Sequence, residues 1–187
     1  MIKQIADFIY EVGSARRIKR SHIQFIGTSD ESISDHSYRV IWISLIIANI
    51  EKADINKVAL MALIHDLPEI RTGDLNPLNS IYTKDNETKA FSDQMRKIPN
   101  VKTLMELFKE YQKKESIESI IVKDADLIDQ IALQKEYFDR GVNFVKKWHH
   151  YQLNLLKLKS SKKIAKQLIE RDSNEWLQEI LNIYNKK

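Results

Sequence analysis

The sequence predicts an all-α protein, a helical bundle forming a single domain over residues 1–187, and three observations carry that prediction. Only four Gly and three Pro interrupt a chain rich in Ile, Leu, Lys and Glu, a balance that favours helices over a sandwich or barrel. Apolar residues recur every three to four positions along much of the chain, the spacing of one helix face. No internal repeat or low-complexity linker divides the 187 residues, which suffice for one substantial core.

The elements follow in order. Ile2, Ile5, Ile9 and Val12 mark a short first helix, and Gly13 stops it. Residues 16–33 read as a polar, basic connector containing Arg16, Arg17, Lys19 and Arg20. Ser34 is the expected N-cap of a long apolar helix running to about Ile50, and Asp54 the cap of another from Ile55 to about Asp66. Pro68 and Gly73 break the pattern, with Thr72-Gly73-Asp74 as a turn. Weaker helices are expected over 85–97 and 101–114, and a strong one from Ser116 to Arg140, ended by Gly141. Two more are expected over 146–158 and 160–185.

Composition excludes several classes. No window approaches the roughly 20 apolar residues of a membrane span, and Asp7 falls where a signal peptide needs its apolar stretch. With no cysteine, disulfide and thiolate chemistry are absent, and the expected location is the cytoplasm. Residues 140–187 hold eleven Lys or Arg against four Asp or Glu, a surplus of +7 that leaves −3 for residues 1–139. These lysines alternate with Leu153, Leu156, Ile164 and Leu168 at helical spacing, which reads as the wet face of amphipathic helices.

Four polar residues set in apolar stretches carry the functional signal. They are His36 in Ser34-Asp35-His36-Ser37, the pair His65-Asp66 in Ala62-Leu63-Ile64-His65-Asp66-Leu67-Pro68-Glu69, and Asp126 in Val122-Lys123-Asp124-Ala125-Asp126. Burying such groups unpaired costs several kcal/mol, and a borderline or hard divalent cation, which imidazole and carboxylate both suit, removes that cost. Each residue also has a plainer reading: His36 as a capping or core histidine, Asp35 as support for a helix N-terminus, and Asp124, Asp126 and Asp129 as a solvated helix face. The ordered combination points to a metal site with positions left open for water and substrate, the mark of a catalytic rather than a structural ion. Glu69 follows Asp66 by three residues and His65 by four, so a continued helical path makes it the candidate general acid/base. Asp74 is expected to line the same cavity from its loop.

Over about residues 1–140 the chain resembles the HD-domain metal-dependent phosphohydrolases, most closely their small 5′-deoxynucleotidase-like branch. The likeness rests on Glu31-Ser32-Ile33-Ser34-Asp35-His36-Ser37-Tyr38-Arg39-Val40, on His65-Asp66-Leu67-Pro68-Glu69 with Thr72-Gly73-Asp74-Leu75, and on Lys123-Asp124-Ala125-Asp126, which is similar to the family's Lys-x-Ala-Asp. It implies an HD-type fold with His36, His65, Asp66 and Asp126 as metal ligands, Asp126 being chosen over Asp124. It also implies that Glu69 serves the water nucleophile and that Asp74 faces the substrate sugar. The counterpart of the family's Arg-x-Gly-Trp-like segment is Arg20-Ser21-His22-Ile23, one residue shorter and without the Gly and Trp. Arg20 still offers a guanidinium fork to a phosphate, with Lys123 a weaker candidate for the same work. Ile70 after Glu69 departs from the Glu-Asp pair of (p)ppGpp hydrolases, and His22, His149 and His150 do not supply the extra ligands of the two-metal branches.

The implied reaction is hydrolysis of (deoxy)nucleoside 5′-monophosphates to nucleoside and phosphate with one divalent transition metal per chain. Mn²⁺, Co²⁺ or a similar ion is expected, because two His ligands disfavour Mg²⁺ and Ca²⁺. The expected partners are a small nucleotide substrate and a second copy of the chain in a homodimer, without membrane or nucleic acid. Two rival readings stand beside it: an HD-type hydrolase of another small phosphate ester, and a non-enzymatic nucleic-acid-binding helical protein using the basic C-terminal region.

Overall fold

The computed structural model describes residues 2–27, 31–84 and 86–184. Residues 28–30 of the expected connector, 85 at the start of one expected helix and 185 at the end of the last lie outside the described residues. The all-α class is borne out: the described residues form helices and turns, with a single isolated antiparallel bridge between Lys19 and Ser32. The helices are α1 (Ile2–Gly13), α2 (Ile23–Ile26), α3 (Ile33–Glu51), α4 (Ile55–Ile64), α5 (Glu69–Thr72), α6 (Pro77–Tyr82), α7 (Glu87–Met95), α8 (Lys102–Lys113), α9 (Ile117–Asp139), α10 (Lys146–Leu155), α11 (Lys159–Glu170) and α12 (Glu175–Tyr184). They fall into two compact units, Met1–Val122 and Lys123–Lys187, with the boundary inside α9.

Several expected boundaries move for local reasons. The cap of α3 is Ser32, not Ser34: Ser32 Oγ accepts from Asp35 N at 3.3 Å while Asp35 accepts from Ser32 N at 2.8 Å, a reciprocal box that only Ser32-x-x-Asp35 spacing closes. Asp35 therefore does support the helix N-terminus, and its hydrogen bonds from Ser32 lower its pKa. The connector is not shapeless. Ser14–Arg17 forms a 3₁₀ turn, α2 follows, and Arg20 N donates to Glu31 O at 3.2 Å while Ile33 N donates to Ile18 O at 3.0 Å. Those two bonds tie residues 18–20 to the start of α3.

Asp54 caps α4 as expected, accepting from Lys57 N at 3.1 Å. The helix ends at Ile64, because Pro68 has no N–H to continue it and residues 65–68 close into tight turns. Helix α6 escaped the sequence reading; Asn76 caps it and Pro77 fills its first position, where no N–H is needed. The expected helix over 160–185 is two helices, separated at Arg171–Asn174, where Asp172 accepts from Asn174 N at 2.8 Å and competes with the helical bonds. Gly141, at φ +98°, ends α9 as expected.

The core of the first unit comes from α3 (Val40, Ile47, Ala48), α4 (Val58, Met61, Ala62), α7 (Phe91, Met95) and α8 (Leu107, Phe108), all buried. Phe91 and Phe108 stack with centroids 4.1 Å apart. Helix α3 packs on α4, α4 on α8, and α5 on α7. Lys57 pins α4 to its neighbours through Glu110 at 2.7 Å and Glu118 at 3.2 Å. A second clamp joins α1 to α5 and to the segment after α7: Arg71 donates to Glu11 at 2.5 and 2.9 Å, and Lys97 donates to it at 2.7 Å.

The Arg71 hydrogen bond, followed by those of Lys97 and Gln94, draws the Glu11 pKa down to about 2 against the opposing effect of burial. A depressed carboxylate stabilises the fold above its unfolded pKa near 4.5, and that contribution is lost as the pH falls towards 2. Glu11→Gln is expected to lower unfolding free energy at pH 7 by about 2 kcal/mol, after allowance for solvent screening. In urea titrations the difference from wild type should shrink between pH 4.5 and 2. Equal stability at pH 7 would remove the clamp from the account.

Candidate metal centre

Each cluster residue stands at a helix end or in a turn. His36 lies in the first turn of α3, behind the Ser32–Asp35 box. His65 directly follows α4, and its Nδ1 lies 2.7 Å from the Ala62 carbonyl. A carbonyl can only accept, so Nδ1 donates to it and Nε2 is the ring atom left facing Asp66. Both His36 Nε2 and His65 Nε2 sit 3.2 Å from Asp66 Oδ2, and the three side chains offer ligand atoms within 4.8 Å of one another. His36 is fully buried and His65 nearly so.

Asp66 is ionised despite its surroundings. Burial opposes the charge, but the interaction with His65 and hydrogen bonds with His36 and His65 hold its carboxyl well below the usual range. Neutral imidazole nitrogens and a carboxylate oxygen repel at 3.2 Å unless a cation, proton or metal, lies between them. The donor set therefore fits a borderline divalent ion.

Charge balance supports the same fit. Arg20, buried, is 3.4 Å from Asp66, 3.6 Å from Glu69 and 3.4 Å from Asp74. One guanidinium cannot neutralise three carboxyl groups. Glu69 yields: burial first, then the charges of Asp66 and Asp74, push its pKa up to about 10, with Arg20 and His36 pulling the other way. The ion-pair distance alone would suggest a charged Glu69, but Arg20 is shared with two closer carboxylates, so the neutral form wins without further positive charge.

The loop after α5 brings in the last acid. Gly73 adopts φ +80°, which favours glycine, and so turns the chain to place Asp74 Oδ2 2.5 Å from Ser21 N. Asn76 reaches the same segment, donating to Gln24 at 2.8 Å. Sequence reasoning missed Gln94, which is fully buried and donates to the Leu67 carbonyl at 3.0 Å, fixing the turn between Asp66 and Glu69. Its signal was a polar residue on the stripe Ala90, Phe91, Gln94, Met95. Tyr111, edge-on to His65 at 5.9 Å, was missed too; nothing in its sequence context marks it.

Of the expected site residues, Arg20, His36, His65, Asp66, Glu69 and Asp74 thus gather in the first unit. Lys123 and Asp126 belong to the second. There Lys123 Nζ donates to Asp126 Oδ2 at 2.6 Å, and Gln130 Nε2 donates to Oδ1 at 3.1 Å. Asp124 has a structural duty, accepting from Lys157 N at 3.0 Å and Leu158 N at 2.9 Å just before α11. Asp124, Asp126 and Asp129 are all buried, so they are not a solvated face. His149 is buried as well, and burial pushes its pKa down.

Residues 12–172 match the family model described as HD domain. The chain belongs to the HD-domain family. Among its relatives, 5′-deoxynucleotidase HDDC2 of Homo sapiens is 28% identical over 144 residues, covering 73% of this chain and 70% of that protein. The protein of the same name from Danio rerio is 31% identical over 139 residues, covering 70% of this chain and 68% of that one. A conserved hypothetical protein from Pyrococcus furiosus superposes with a TM-score of 0.71 at 31% identity, covering 88% of this chain and 96% of that chain. The family and the hydrolase class expected from the sequence are borne out, and this HD-domain chain carries a candidate His/Asp metal site.

Removing the guanidinium leaves buried acids uncompensated. Arg20→Met is expected to destabilise the protein in EDTA by about 3 kcal/mol or more, and Mn²⁺ should restore part of the loss by supplying positive charge to the same acids. Urea unfolding with and without Mn²⁺ measures both effects; an unchanged midpoint in EDTA would contradict the charge balance described here.

Proposed function

We propose that this HD-domain hydrolase cleaves nucleoside 5′-monophosphates, with deoxynucleotides as its substrates, using one divalent transition ion such as Mn²⁺ or Co²⁺. The observation that carries the reading is the convergence of His36, His65 and Asp66 beside the Arg20 carboxylate cluster. The names of the curated relatives support the substrate class. His36, His65 and Asp66 would hold the ion, and Asp126 would join them on the strength of its Lys123-Asp124-Ala125-Asp126 motif, with Asp124 already engaged next to α11. The chemistry such an ion supplies is polarisation of a phosphoryl oxygen and a lowered pKa for water.

The chain's own residues do the rest. Arg20 offers charge-assisted hydrogen bonds to the substrate phosphate, with Lys123 as a weaker second cation. Positive charge added beside Asp66 and Glu69 lowers the Glu69 pKa from about 10 towards the range useful for general acid/base work. Glu69 then takes the proton from the attacking water as the new P–O bond forms. It returns that proton to the nucleoside oxygen as the ester bond breaks. Asp74, held by Ser21 N, is the group assigned to the sugar. The cysteine-free composition fits a cytoplasmic setting, and no helix among the described residues is long and apolar enough to cross a membrane. A homodimer is the assembly we assign, supported by exposed Trp176, Leu177, Ile180 and Leu181 on α12.

Phosphate release from the four common deoxynucleoside 5′-monophosphates and their ribo counterparts, with Mn²⁺, Co²⁺ or EDTA, tests the function. Metal-dependent release from the deoxy series alone is expected. Equal release from both series would keep the chemistry and remove the sugar selectivity. Release from neither would overturn the nucleotidase reading. Glu69→Gln is expected to lower kcat by about 10²–10⁴-fold while leaving KM for the nucleotide within a few-fold; a variant with wild-type kcat would take Glu69 out of proton transfer.

A further inference from the structure

Beyond Lys123, Asp126 has a neighbour set that the sequence reading did not use. Its Oδ1 accepts from Gln130 Nε2 at 3.1 Å, one helical turn along α9. Gln130 Oε1 in turn accepts from Gln152 Nε2 at 2.8 Å, reaching across from α10. The carboxylate sets the polarity of this chain. An ionised Asp can only accept, so Gln130 must direct its amide NH₂ at Asp126 and its carbonyl at Gln152, and Gln152 must answer with its own NH₂. Gln152 and Asp126 are both buried, so water does not readily replace either bond. Lys123 binds Oδ2 at 2.6 Å, and the Gln130 bond to Oδ1 restrains the rotation of the carboxylate about its last torsion.

We propose that Gln130 and Gln152 are positioning residues for the Asp126 carboxylate as a metal ligand, Gln130 acting on it directly and Gln152 acting through Gln130. This rests on the proposed role of Asp126. Groups that orient a ligand from behind carry a large share of metal affinity, and their loss typically costs about 10–100-fold. The order of the relay makes a specific demand. In this relay Gln152 acts on Asp126 through Gln130, so removing both amides should do no more than removing Gln130 alone.

Titration of the full-length protein with Co²⁺, followed by calorimetry and by the visible absorption of the bound ion, tests the relay. The variants are Asp126→Ala, Gln130→Met, Gln152→Met and the double Gln130→Met/Gln152→Met; methionine keeps the length of the side chain and removes the N–H donor. Gln130→Met is expected to weaken the Co²⁺ Kd by about 10-fold or more and to alter the absorption bands. Gln152→Met should weaken it less, and the double variant should match Gln130→Met. Circular dichroism of the metal-free proteins identifies any variant that has not folded, and Gln152→Met, the gentler change, then carries the test. Wild-type Kd and spectrum in folded Gln130→Met and Gln152→Met, with Asp126→Ala defective, would overturn the relay and leave Asp126 as a ligand. Wild-type Co²⁺ binding by Asp126→Ala would overturn the ligand role, and the relay with it. A double variant much weaker than Gln130→Met would show that Gln152 acts by another route and would overturn the series order.

Discussion

A single buried guanidinium faces three acids, and the architecture of the first unit depends on that imbalance. Arg20 lies within 3.6 Å of Asp66, Glu69 and Asp74, while two imidazole nitrogens crowd the same Asp66 oxygen at 3.2 Å. In a medium of low dielectric such a set is held together only if its geometry is enforced from outside and its charge is met by a cation. The enforcement is visible. The Ser32–Asp35 box starts α3 one turn before His36, the Ala62 carbonyl orients the His65 ring through Nδ1, Gln94 holds the Leu67 carbonyl, and Ser21 N holds Asp74.

These supports share a location. The cluster residues sit at helix ends and in the turns between them, where backbone groups are left over and can be aimed at side chains. The interiors of α3, α4, α7 and α8 make the apolar core and hold those ends still. The Glu11–Arg71–Lys97 clamp serves the same purpose at a distance, because Arg71 lies in α5 two residues after Glu69. Rigid helices thus supply position, and their termini supply chemistry.

Much of this was legible in the sequence, for reasons that differ by residue. His36 and His65-Asp66 stood out because polar groups interrupted apolar helical stripes, and burial without partners is too costly to be casual. The caps at Asp54 and the stop at Gly141 follow from local chemistry alone. Ser32 was overlooked in favour of Ser34 because a lone serine looks like a cap, whereas the reciprocal bond depends on Asp35 standing three residues later. Helix α6 and the folded connector were illegible for another reason: neither has an apolar period, and both are fixed by long-range bonds such as Asn76 to Gln24 and Ile33 N to Ile18 O. Likewise Asp124 could be told from Asp126 only by motif until its bonds to Lys157 N and Leu158 N appeared. The fused expectation over 160–185 failed where Asp172, Ser173 and Asn174 interrupt a pattern whose apolar spacing continues on both sides.

The central claim, that the His36–His65–Asp66 cluster is built for a divalent cation, is tested most directly by thermal unfolding of the protein in EDTA and in graded Mn²⁺. An ion that binds only the folded state stabilises it by about 2.7 kcal/mol at a hundred times its Kd, which in a chain of this size raises Tm by roughly 5–10 °C. A rise of that order is expected, growing with the logarithm of Mn²⁺ concentration and disappearing in His65→Ala. The same Tm in EDTA and in saturating Mn²⁺, Co²⁺ and Zn²⁺ would contradict it.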